Sequence, residues 1–77
     1  MALITDVTTT WSTPITLAED EIWQPRKGSV FVTTSSAPDA DDGIGLHENH
    51  AVRLSAGASV SYRKAGTTEA LIVREAV

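Results

Sequence analysis

Apolar and polar positions alternate with a period of two along most of this chain, the spacing of half-buried strands. Trp11, Thr13, Ile15 and Leu17 fall on one face. Glu19-Asp20-Glu21 reads as a polar turn. Ile22 and Trp23 open a short segment that Pro25 is expected to stop, because proline brings no N–H to a ladder. Arg26-Lys27-Gly28 marks a turn, and "SVFVTT" follows. There Val30, Val32 and Thr34 share a face and Phe31 lies opposite, as in a strand covered on both sides. Residues 35 to 42 are the longest polar stretch, and residues 43 to 46 suit a short strand. His50, Val52 and Leu54 alternate with Ala51 and Arg53. Ala58, Val60 and Tyr62 point inward, with Ser59, Ser61 and Arg63 outward. "EALIVRE" forms a last apolar strand, buried on both faces. The best helical candidate, "TLAEDEIWQ", is bracketed by Pro14 and Pro25 and is too short to hold alone.

Seven or eight short strands with turn residues between them predict an all-β domain. The expected form is a small antiparallel β-sandwich or barrel, jelly-roll-like. Residues 11–77 make a single β domain. Residues 1–10, "MALITDVTTT", have good strand propensity and form an extended N-terminal arm or an edge strand.

Length and charge sharpen this picture. At 77 residues the chain allows one small domain with a small core. It has no cysteine, so disulfides and thiolate zinc sites drop out, and a partner subunit becomes the natural support. Net charge is −4, which disfavours a phosphate backbone as partner; no nucleic acid is expected. No apolar run approaches the roughly 20 residues of a membrane-spanning helix, and the start of the chain has no secretory pattern. The expectation is a soluble protein made in the cytoplasm, with no membrane partner.

Candidate chemistry gathers in "SSAPDADDGIGLHENH", residues 35 to 50. Placing Gly43 at the glycine of a calcium loop puts Pro38, Ala40 and Asn49 where oxygen ligands belong, so that template fails. His47 and His50 are three residues apart, not the four of a zinc-protease helix. A hairpin could still bring Asp39, Asp41, Asp42, His47 and His50 around an ion, the minor alternative to turn-forming and surface roles. No nucleophile elbow, phosphate loop or dinucleotide fingerprint occurs. No catalytic residue and no cofactor are assigned, and the chain is not expected to be an enzyme. Of the aromatics Trp11, Trp23, Phe31 and Tyr62, most belong to the core, and Trp23 is the one expected at an interface.

Two longer stretches, "IWQPRKGSVFVTTSSAPDADDGIGL" and "AVRLSAGASVSYRKAGTTEALIV", carry a resemblance. The matching positions are Gly28 to Val32, Ala37-Pro38, Asp42-Gly43, Leu46, Leu54 to Gly57 and Tyr62-Arg63. They resemble very small all-β proteins from the structural modules of tailed phages, prophages and gene transfer agents. The resemblance implies a virion component assembled in the host cytoplasm. It would be a capsid decoration (cement) protein on the major capsid protein lattice, or a head-spike, fibre or tail-associated subunit. It also implies a homo-oligomer, a trimer first. A free carbohydrate- or metal-binding β-module is the reading from a different class. On the virion reading the contact residues are Leu3, Ile4 and Val7 of the arm and Asp39, Asp41, Asp42 and His47 of the long connection. Trp23, Arg26 and Arg53 are the lesser contacts.

Overall fold

A computed structural model describes residues 2–35, 38–39, 42–66 and 68–77. Asp41 therefore lies outside the described residues. The described residues form strands β1 (Ala2–Ile4), β2 (Ile15–Thr16), β3 (Glu21–Lys27), β4 (Val30–Thr33), β5 (Ile44–Leu46), β6 (Val52–Leu54), β7 (Ser59–Lys64) and β8 (Leu71–Ala76). They build two antiparallel four-stranded sheets, β1-β8-β3-β6 and β2-β7-β4-β5, packed face to face as a small β-sandwich.

The core follows from strand parity. Ile4, Trp23, Pro25 and Ile72 face inward from the first sheet, and Val30, Val32, Leu46, Val60 and Tyr62 from the second. Leu17, Val7 and Ala70, from the connections, close the ends. The rings of Trp23 and Tyr62 meet across the layers at 6.0 Å and 59°. This tilted arrangement suits the opposed charges of ring faces and edges.

Several expectations change here. Pro25 does not end its strand: β3 runs through it, with Pro25 opposite Ile72 of β8. Its carbonyl accepts the Asn49 N–H at 2.8 Å, so the side of the backbone that lacks a donor faces the β5–β6 turn. The β6 ladder has already ended there, at Val52 opposite Trp23. No ladder bond is lost, and a bulge between Pro25 and Lys27 restores the pairing with β8. Glu21 is no turn residue but the first residue of β3, and it is buried. Trp23 is fully buried, so it presents nothing to a partner. Ile4 and Val7 likewise belong to the core: β1 pairs with β8 as an edge strand and turns Ile4 inward, and Val7 follows from the connection after it. Residues 11 to 17 do not share one face: Ile15 and Leu17 pack on the core, whereas Trp11 lies over Arg63 on the far side of the second sheet. Ser61 points to that same far side, yet it is buried beside Thr33.

Gly28 joins β3 to β4 with φ +71°, and a Cβ there would stand 2.5 Å from the Glu69 carbonyl oxygen. Gly28→Ala is therefore expected to lower stability by about 1–3 kcal/mol, read from the urea midpoint.

Candidate functional site

Three polar constructions stand out. The first is buried between the layers. Arg74 of β8 lies opposite Trp23, one strand position from Glu21, on the inward face. It donates to both carboxylate oxygens of Glu21, Nε to Oε1 and Nη2 to Oε2, each at 2.8 Å. The Trp23 indole N–H adds a bond to Glu21 Oε1 at 2.9 Å, and the guanidinium stacks 5.4 Å from the Trp23 ring centre. Arg74 first, then the indole N–H, hold the Glu21 carboxyl below its ordinary value, against the opposing effect of burial. Nearby, the Tyr62 hydroxyl donates to Asp6 Oδ1 at 3.1 Å. Burial and then the Asp6 carboxylate push the Tyr62 phenol up. Both groups are thus fixed further into the protonation states they hold at neutral pH. The cluster joins the layers through the Trp23–Tyr62 contact.

The second construction covers the far side of the other sheet. Residues 8 to 12 run beside β7: Lys64 N–H donates to Thr8 O at 2.7 Å and Ser12 N–H to Tyr62 O at 2.9 Å. This carries Trp11 across the sheet. The Arg63 guanidinium sits 5.1 Å from the Trp11 ring centre and 4.5 Å from that of Phe31. The indole N–H then donates to the Asp39 carbonyl at 2.9 Å. Asp39 and Asp42 close on each other, with Asp39 N–H donating to Asp42 Oδ2 at 2.8 Å and Asp42 N–H to Asp39 O at 3.1 Å. The two residues bond each other reciprocally, the Asp42 side chain taking the place of a backbone acceptor. Gly43 follows at φ +93°, where a Cβ would lie 3.0 Å from Trp11 Cη2. Asp39 and Asp42 are thereby tied to the sheet through Trp11.

The third construction is the turn from His47 to His50. Asn49 takes φ 70°, and its carbonyl accepts the Gln24 side-chain amide at 2.9 Å. Glu48 Oε1 accepts the Gly28 N–H at 3.1 Å, and Ser29 Oγ contacts His47 Nδ1 at 3.3 Å. The two imidazoles meet edge to face at 5.7 Å. The structure does not bring these histidines together with Asp39 and Asp42. Among the described residues no group of three or more His, Cys, Asp or Glu side chains is placed to hold a metal ion.

The expected contact residues therefore divide. Leu3, Arg26, Asp39, His47 and Arg53 are exposed and Asp42 is half-buried. Ile4, Val7 and Trp23 are interior. Arg53 Nη2 also pairs with Asp20 Oδ2 at 3.0 Å, both side chains remaining open to solvent. No family model, curated protein or solved structure matches this chain. No helix among the described residues is long and apolar enough to cross a membrane. Sequence reasoning passed over Trp11, Arg63 and Ile22. The usable signal for the first two was parity: Phe31 and Arg63 both point away from the core, and a large ring and a guanidinium on one outer face invite stacking.

Proposed function

We propose that the protein is a virion structural module, a capsid decoration protein that binds the major capsid protein lattice and stabilises the shell. The observation that carries this reading is the anchoring of Asp39, whose carbonyl accepts the Trp11 indole N–H while its own N–H donates to Asp42. An acidic residue already held against the sheet has less freedom to lose on docking. Asp39 and its neighbours then meet basic capsid surface, and many modest contacts repeated over a lattice sum to a strong hold. The resemblance of residues 22 to 75 to small phage structural proteins supports the same reading.

The test mixes the purified chain with mature shells of the particle that carries its gene. Saturable binding and a higher shell melting temperature are expected. Shells that neither bind the chain nor gain stability would overturn the reading. Asp39→Lys, which reverses an exposed charge without touching the carbonyl that holds Trp11, is expected to weaken binding roughly tenfold. Trp11→Phe keeps most of the ring but loses the bond to Asp39. It should lower chain stability by about 1 kcal/mol and weaken shell binding, as measured by urea unfolding and co-sedimentation.

A further inference from the structure

The outward face of the first sheet is unlike the rest of the surface. Three residues stand in register across its middle: Glu75 on β8, Ile22 on β3 and Arg53 on β6. Ile22 is 42 % exposed although it sits at the centre of a sheet. Two residues along each strand Val73, only 7 % exposed, lies on the outward face beside Gln24, and these residues line a shallow groove with Arg26, Ala51 and Glu75. An acid, an apolar centre and a base, spaced at about 4.8 Å per strand, make a row whose charge reverses sign about β3.

Such a row is complementary to itself. A two-fold axis lying in the interface and running along β3 carries β8 of one copy onto β6 of the other. Glu75 then faces the second copy's Arg53, Arg53 faces its Glu75, and Ile22 meets Ile22 between them. In the next row Val73 faces Ala51, and Gln24 meets Gln24, whose amide both donates and accepts. In these two rows the contacts pair unlike charges, apolar with apolar, or amide with amide, while Arg26, further along β3, meets its own copy. We infer that this face is where two copies of the chain pair, as an isologous dimer built sheet on sheet. The pairing is independent of the virion reading, and it gives a dimer in place of the trimer that the resemblance implies.

Sedimentation velocity of the purified chain over a wide concentration range tests it. A monomer–dimer equilibrium is expected. Ile22→Glu, on the axis and exposed in the single chain, should leave the circular dichroism spectrum unchanged and abolish the dimer. Glu75→Arg and Arg53→Glu each set like charges face to face in their own dimers and should weaken self-association by roughly tenfold or more. Mixed together they restore both unlike pairs and should form a heterodimer. A merely structural role for either residue would not produce that rescue. A chain that stays monomeric at every concentration, a trimer, or two variants that fail to pair on mixing would each overturn the inference.

Discussion

Trp23→Ala is expected to lower the stability of the sandwich by about 3–5 kcal/mol, the usual range for deleting a fully enclosed aromatic side chain. Domains of this kind hold roughly 0.05–0.15 kcal/mol per residue, so this is a large share of what keeps the chain folded. The reason for so large an effect is position. Trp23 is completely buried, touches Tyr62 of the opposite layer, and gives its indole N–H to Glu21. Removing it opens a cavity between the sheets and takes one donor from a buried carboxylate. Trp23→Phe retains most of the apolar volume and should lose only about 1–2 kcal/mol. Urea unfolding followed by far-ultraviolet circular dichroism separates the two. A Trp23→Ala protein with a wild-type midpoint would mean that the layers do not meet at this ring.

The second large effect concerns Glu21 and Arg74. Arg74→Met leaves the Glu21 carboxylate buried without its cation and is expected to lower stability by about 3 kcal/mol. That is the low end of the range for a broken buried pair, because the Arg74 side chain is 23 % exposed. The double variant Glu21→Gln, Arg74→Met removes the stranded charge and keeps an acceptor for the Trp23 indole. It should recover at least about 1 kcal/mol of that loss. Acid supplies a second readout. The carboxyl of Glu21 in the folded protein sits below its ordinary value of 4.5, chiefly because of Arg74. Its contribution is therefore complete above that value and disappears as pH falls through the lowered one. The wild type should lose stability steeply in this acid range, and the double variant more gently. Asp20 is lowered too, first by the Ala56 N–H, and Glu69 by Lys27, but both are solvent-exposed and weigh less. Equal acid slopes in the two proteins would show that the pair does not couple to folding.

The strands that could be read from the sequence were those whose own residues state their burial. Val60 and Tyr62, Val30 and Val32, and the Leu71–Val73 run announce themselves by alternation or continuous apolarity. What stayed hidden was decided by residues far away in the chain. Pro25 is tolerated inside β3 only because the β6 ladder ends at Trp23, two residues short of it. Glu21 enters the interior only because Arg74, 53 residues later, is there to meet it. Neither fact is written near position 21 or 25, where the local rules for acids and proline favour a turn. Trp23, between Ile22 and Gln24 and expected at an interface, is interior because β3 pairs with β8 and β6 on either side and turns it toward Tyr62. The acidic connection was visible as an unusual stretch, but its anchor was not, because Trp11 reaches Asp39 across 28 residues and a whole sheet.

The pairing of β1 with β8 joins residues 2–4 to residues 72–74, nearly the full span of the chain. During folding β3 can meet β6 before β8 arrives, but its other edge then stays open until β8 joins it. During that interval an unpaired strand edge and the indole of Trp23 are both uncovered, which is the state most prone to join a neighbouring chain. The recovery of folded protein on refolding from urea should thus fall as protein concentration rises, with light scattering reading the aggregate.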